Sequence, residues 1–128
     1  TMRDFGMPMG PIELADTVGL DIALAVGRQL IAADRQPQKV AALVAEKHLG
    51  KKSGQGYYLW QNDRAQKPPA APPPAGLRER LLTPLLQAAA DCVARGVVAD
   101  ADLADAGVIF GPGFAPYTGG PLNYRTRS

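Results

Sequence analysis

Two segments rich in glycine and proline, at residues 5–12 and 111–121, constrain the fold of this 128-residue chain more than any other feature. Proline restricts the residue before it and glycine permits unusual backbone angles, so neither segment continues a helix. Outside them, apolar residues recur at helical spacing. This pattern predicts helices over about residues 11–18, 20–33, 38–48, 77–95 and 101–109.

Two stretches between these helices have a different composition. Residues 49–60 combine three glycines with Lys51 and Lys52, which predicts a flexible loop rich in donors, docked to the body by its aromatic residues. Residues 61–75 contain five prolines and are expected to form an extended linker. Pro84 is expected to kink the helix over 77–95 or to mark its true start.

The balance of apolar residues favours packed helices. The hydrophobic content of 46% supports a core, whereas aromatic residues make up only 6%. We therefore predict an all-α fold. The two Gly/Pro segments resemble each other, which indicates an internal duplication. Its boundaries are predicted as a truncated first repeat at 1–60, the Pro-rich linker at 61–75 and a second repeat at 76–128.

Charge and cysteine content exclude several classes of protein. A formal net charge of +2 with scattered basic residues does not indicate a nucleic-acid-binding surface. No apolar run approaches the roughly 18 residues of a membrane span. The single Cys92 has no partner for an internal disulfide, so we expect it to pack as a small apolar residue in a reducing compartment.

Several motifs in order resemble a known family. Residues 5–16 (Phe-Gly-Met-Pro-Met-Gly-Pro-Ile-Glu-Leu-Ala-Asp), 18–21 and 49–58 (Leu-Gly-Lys-Lys-Ser-Gly-Gln-Gly-Tyr-Tyr) are similar to the C-terminal domain of 3-hydroxyacyl-CoA dehydrogenases. Residues 96–102 and 107–116 resemble the second copy of that domain. This second copy occurs in the fused alpha subunits of the fatty acid oxidation complex.

The resemblance implies two related helical units, similar to the C-terminal domain of 6-phosphogluconate dehydrogenase, within a larger enzyme. That enzyme would oxidise 3-hydroxyacyl-CoA with NAD in β-oxidation and would also carry an enoyl-CoA hydratase domain. The NAD-binding domain and the catalytic His and Glu would lie outside this chain. The expected partners are that missing domain and either a thiolase subunit or a second copy, in a bacterial cytoplasm.

The resemblance also implies roles for individual residues. Lys52 matches the lysine that reaches the NAD, and a solvated surface lysine is the alternative. Phe110 stands where related enzymes place a substrate-contacting Tyr, and a core Phe is the alternative. Met7, Pro8 and Met9 are candidates for lining an acyl tunnel, since methionine adapts to irregular apolar ligands, or for packing on their own helices.

Two sets of carboxylates have competing interpretations. Glu13 and Asp16 suggest paired acid–base chemistry, but favourable electrostatics at a helix start explains them more simply. Asp100, Asp102 and Asp105 suggest a metal site, but helix capping is favoured because no glycine-centred calcium loop surrounds them. Two rival functions stay open for the chain as a whole: a purely structural interaction module, and an unrelated helical bundle that binds acyl-CoA.

Overall fold

The computed structural model describes residues 1–32, 35 and 37–127. The chain forms two compact units. The central unit is Pro11–Ala71, and the terminal unit combines Thr1–Gly10 with Pro72–Ser128. Both are built mainly from helices, which confirms the predicted all-α fold.

Within its described residues, the central unit contains three α-helices and a small hairpin. Helix α1 is Pro11–Val18, α2 is Leu20–Leu30 and α3 is Gln38–Ala45. A 3-10 turn at Lys51–Ser53 follows, and then the antiparallel strands β1 (Leu59–Gln61) and β2 (Arg64–Gln66). Gly19 has a φ of 110° and permits the abrupt turn from α1 into α2. The core consists of Leu20, Leu24 and Val40, packed against Ala15, Ala41, Leu43, Val44 and Tyr57.

The terminal unit, as far as residue 127, contains three further α-helices. Helix α4 is Leu77–Ala94, α5 is Ala101–Phe110 and α6 is Pro121–Arg127, with a 3-10 turn at Pro116–Thr118. The Asp100 carboxylate accepts a hydrogen bond from the Leu103 backbone N–H at 2.9 Å, which caps α5 as predicted.

Aromatic packing joins the two Gly/Pro segments in the core of the terminal unit. The Phe5 ring lies edge-on to the rings of Phe114 and Tyr124, with centroid distances of 5.5 Å and 5.3 Å. Phe5 and Phe114 are both fully buried. Met2, Leu82 and Ala115 complete this cluster. The segments that break the helices therefore also supply the central side chains of one core.

The structure corrects four details of the sequence-based prediction. Helix α3 ends at Ala45 rather than at 48, because the chain turns there and Lys47 adopts a φ of 60°. Strand β2 lies inside the predicted linker, since Asn62 and Asp63 form a turn with positive φ. Helix α4 continues through Pro84 from Leu77, and α6 was not predicted.

The structure leaves two further predictions open, the end of α2 and the internal repeats. Helix α2 ends at Leu30, and residue 33, the predicted end, lies outside the described residues. The two compact units do not follow the predicted repeat boundaries, because residues 1–10 pack with residues 72–128. The repeats themselves remain a prediction, since spatial packing does not record how the sequence arose.

Candidate functional site

A buried aspartate organises the loop that carries the candidate lysine. Asp16, in the second half of α1, is completely buried. Its carboxylate accepts hydrogen bonds from the backbone N–H groups of Tyr57 and Tyr58, both at 2.9 Å. It also accepts one from the indole N–H of Trp60 at 3.0 Å. Three donors stabilise the buried charge, which would otherwise be costly in a low-dielectric interior.

Two glycines let the loop approach this aspartate closely. A Cβ atom at Gly50 would lie 2.2 Å from the Asp16 carbonyl oxygen, and one at Gly56 would lie 2.3 Å from Asp16 Oδ1. Gly50 also has a φ of 99° and a ψ of −146°, a region that only glycine readily adopts. Both positions therefore require glycine, because a Cβ atom would prevent the loop from contacting the end of α1.

Ser53 closes the same loop on itself. Its hydroxyl accepts a hydrogen bond from the Leu49 backbone N–H at 2.8 Å and lies 2.8 Å from the Gln55 carbonyl oxygen. The Gly50 N–H donates to that same carbonyl at 2.7 Å. The expectation of a flexible loop over 49–60 is therefore wrong, because these bonds and the Asp16 contacts fix its backbone.

Lys52 lies on the 3-10 turn of this ordered loop. Its Nζ is 2.7 Å from each carboxylate oxygen of Asp21, in the first turn of α2. The two side chains are 46% and 40% exposed. A Cβ at Gly19 would lie 3.1 Å from Lys52 Nζ, so the absence of a side chain there gives the ammonium its space. The predicted cofactor-contacting residue is thus a partly exposed, anchored cation.

The neighbouring Lys51 forms a different set of contacts. Its Nζ lies 3.3 Å from Asp63 Oδ1 in the turn between β1 and β2, and 5.9 Å from the centroid of the Trp60 ring. Asp63 is largely exposed. The two adjacent lysines are therefore held by separate carboxylates, and only Lys52 lies beside the start of α2.

Two ionisable groups near the loop, Asp21 and Tyr57, have pKa values shifted from their ordinary values. The hydrogen bond from Lys52 lowers the pKa of Asp21, against a smaller opposing effect of desolvation. Burial raises the pKa of Tyr57, and the negative charge of Asp16 adds to this effect. Asp21 therefore stays ionised to lower pH than an isolated aspartate, which preserves its attraction for the Lys52 ammonium.

The apolar candidates lie in the terminal unit. Phe110, at the end of α5, is 88% exposed, so the alternative of a core phenylalanine is wrong. Met7 is partly buried against the Phe5 cluster, and Pro8 lies beside Gly113, where an added Cβ would be 2.9 Å from Pro8 Cγ. Met9 is also partly buried. These neighbours all lie within the terminal unit, and an acyl tunnel lined by Met7, Pro8 and Met9 stays a prediction.

An apolar cavity of about 400 Å³ lies between α4 and α5. Cys92 lines it, half-buried on α4, together with Leu85, Val98 and Leu103. The predicted apolar role of Cys92 fits this environment, although the residue is less buried than a core side chain. The cavity lies within the terminal unit and does not include Phe110.

The sequence patterns did not predict the structural role of two carboxylates, Asp105 and Asp16. Asp105, in the middle of α5, accepts hydrogen bonds from the backbone N–H groups of Leu122 and Asn123 at 2.6 Å and 3.0 Å. Asp16 is likewise not explained by helix-start electrostatics, since it is the sixth of the eight residues of α1. For Asp16, a position in the second half of a helix is poorly suited to the dipole, and this signal points to donors elsewhere in the fold.

The structure distinguishes between the remaining interpretations of the carboxylates. Glu13, in the first turn of α1, pairs with Lys67. Asp16 is buried and so is not available for acid–base chemistry on a bound substrate. Among the residues that the structure describes, no group of three or more His, Cys, Asp or Glu side chains is arranged to hold a metal ion.

The described helices include none that is both long and apolar enough to cross a membrane.

Residues 1–60, which contain α1–α3 and the Lys52 loop, match the family model of the 3-hydroxyacyl-CoA dehydrogenase C-terminal domain. The resemblance first indicated by the Gly/Pro and Gly-Lys-Lys motifs is thereby confirmed.

Bacterial relatives extend the similarity to nearly the whole chain. The chain is 35% identical to the fatty acid oxidation complex subunit alpha of Pseudomonas savastanoi pv. phaseolicola, over 96% of its length. Identities are 32% to the same subunit of Vibrio cholerae, over 96% of the chain, and 31% to that of Shewanella loihica, over 94%. The chain spans only about a fifth of each relative, 20%, 20% and 19% respectively.

Proposed function

We propose that this chain forms the substrate-cleft and assembly region of an NAD-dependent 3-hydroxyacyl-CoA dehydrogenase that acts in fatty acid β-oxidation. The observation that carries the proposal is the anchored Lys52 on a loop within the matched family domain. The complete enzyme would also have enoyl-CoA hydratase activity, as the relation to alpha subunits of the fatty acid oxidation complex suggests.

The ammonium group of Lys52 is chemically suited to a contact with NAD. An ammonium group on a lysine is a compact cation with three donors, and NAD presents phosphate oxygens and ribose hydroxyls. NAD, when bound, supplies the hydride acceptor for oxidation of the substrate hydroxyl. Lys52 is half-exposed and its loop is fixed by Asp16, so its ammonium is available at a defined position.

The terminal unit would contribute apolar contacts and assembly. Phe110 lacks the hydroxyl of a tyrosine and offers only an apolar surface, which suits an acyl chain or a partner protein. We extend the proposal to Met7, Pro8 and Met9 as residues near the acyl chain. The partners would be 3-hydroxyacyl-CoA, the NAD-binding domain, and a thiolase subunit or a second copy, in the bacterial cytoplasm.

Replacement of Lys52 tests the cofactor contact. In the complete enzyme, Lys52→Ala is expected to raise the KM for NAD about 5- to 20-fold and to change kcat by less than about 2-fold, because one charge-assisted contact is lost. The matched control is Lys51→Ala, since Lys51 occupies the same turn but pairs with Asp63. Steady-state kinetics with varied NAD measure both.

Equal kinetics for Lys52→Ala and the unchanged enzyme would favour the rival function, a purely structural interaction module. A similar rise in KM for Lys51→Ala would show that the effect belongs to the positive charge of the loop as a whole. Only a rise specific to Lys52 supports a direct contact with the cofactor.

The chain by itself is expected to have no dehydrogenase activity. Oxidation of the hydroxyl needs a base and a hydride acceptor held against the substrate. His48 is the only histidine of this chain, and its Nδ1 lies 3.3 Å from Glu46 on a turn outside the Lys52 loop. Formation of NADH from a 3-hydroxyacyl-CoA by the purified 128-residue chain, followed by absorbance, would contradict this expectation.

A further inference from the structure

We infer that Asp21 is a positioning residue for the cofactor contact: its carboxylate holds the Lys52 ammonium in the orientation that NAD meets. This inference rests on the proposed role of Lys52. Asp21 itself need not touch NAD.

The contact joins two elements that are distant in sequence. Asp21 lies in the first turn of α2, and Lys52 lies 31 residues later on the 3-10 turn. The ammonium is 2.7 Å from both carboxylate oxygens, so the pair is closely held rather than a loose surface contact. Gly19, which has no side chain, leaves room for the end of the lysine beside this carboxylate.

The backbone on both sides of the pair is fixed. The Leu20 N–H donates to the Leu49 carbonyl oxygen at 3.0 Å, which ties the start of α2 to the start of the loop. Asp16 holds the far end of the loop through Tyr57, Tyr58 and Trp60. With the backbone fixed, the remaining freedom belongs to the rotamers of Lys52, and Asp21 restricts those.

The pair leaves Lys52 able to bind a further group. An ammonium has three N–H donors, and a single carboxylate cannot use all of them. The lysine side chain remains 46% exposed. Asp21 therefore orders the Lys52 ammonium but does not use all three of its N–H donors. Ordering a flexible side chain beforehand reduces the entropy lost when a ligand binds.

A double-mutant cycle in the complete enzyme tests this inference. Asp21→Asn keeps the shape of the side chain and removes its charge. We expect it to raise the KM for NAD about 3- to 10-fold with kcat changed by less than about 2-fold. In the Lys52→Ala background, Asp21→Asn is expected to have no further effect. Asp21→Glu, which retains the charge, is expected to restore part of the affinity.

The neighbouring ion pair supplies the matched control. Asp63→Asn removes the carboxylate partner of Lys51, and we expect the KM for NAD to stay within about 2-fold of the unchanged enzyme. A general effect of loop charge or stability would appear in this variant too, and that result would overturn the inference.

Other outcomes separate this inference from the proposed function. If Lys52→Ala leaves the KM for NAD unchanged, the proposed cofactor contact fails and the inference fails with it. If Lys52→Ala raises the KM for NAD but Asp21→Asn does not, only the positioning role is overturned. The same holds if the effects of the two substitutions on the KM for NAD are additive. A lower KM for Asp21→Asn would also overturn it, since Asp21 would then compete with NAD for the ammonium.

Discussion

Asp16→Ala is expected to lower the free energy of unfolding of the central unit by about 3–5 kcal/mol. The substitution removes the buried acceptor of three hydrogen bonds and leaves the partly buried N–H groups of Tyr57, Tyr58 and Trp60 without it. Unsatisfied buried donors each cost about 1–3 kcal/mol. Trp60 is the only tryptophan of the chain, so urea unfolding of the 128-residue chain followed by its fluorescence reports directly on this loop.

Glu13→Ala is the matched control on the same helix. Its carboxylate pairs with Lys67, the two side chains being 23% and 32% exposed, and such solvent-accessible pairs contribute about 0–1 kcal/mol. A loss of stability for Asp16→Ala no larger than that for Glu13→Ala would contradict the view that Asp16 organises the loop.

Gly50→Ala is expected to destabilise the central unit by at least about 4 kcal/mol, or to prevent the loop from docking. Two effects add at this position. The backbone conformation is strained for any residue with a Cβ, and that Cβ would lie 2.2 Å from the Asp16 carbonyl oxygen. Because the obstacle is backbone rather than a movable side chain, α1 and the loop must separate. Circular dichroism and Trp60 fluorescence during thermal unfolding measure the loss.

Gly54 offers a control on the same loop. It also has a positive φ, 80°, but a Cβ there would meet no atom within 4 Å. Gly54→Ala is therefore expected to cost only about 1–2 kcal/mol of backbone strain. Equal effects of the two substitutions would show that backbone strain, rather than contact with Asp16, explains the need for glycine at position 50.

Much of the fold follows from local sequence patterns. Pro11 at the first position and Gly19 after the last define α1, and Asp100 and Gly111 do the same for α5. The structure at Pro84 and in residues 61–75 does not follow from local preference alone. Local preference disfavours a helix through Pro84, but the packing of Leu82 and Ala89 in the interior supports one continuous α4. The hairpin of β1 and β2 depends on a turn at Asn62-Asp63 with no strong strand pattern beside it.

The candidate site was predicted only in part. The motif around Lys52 is recognisable because its glycines and lysines are adjacent in sequence. The residues that hold it, Asp16 and Asp21, are 36 and 31 positions away, and neither the periodicity nor the spacing of charges connects them to the loop. Phe110 illustrates the opposite error, because an aromatic residue in an apolar helix suggests burial and the structure exposes it.

The sequence by itself determined the helical class, most helix boundaries and the identity of the lysine loop, because these depend on residues near one another along the chain. Only the tertiary structure decided that the loop is ordered and that Asp21 holds Lys52. It alone also showed that Asp16 is a buried acceptor for Tyr57, Tyr58 and Trp60. The physical reason is that a buried charge must find its donors wherever the fold brings them, and those donors come from distant parts of the chain.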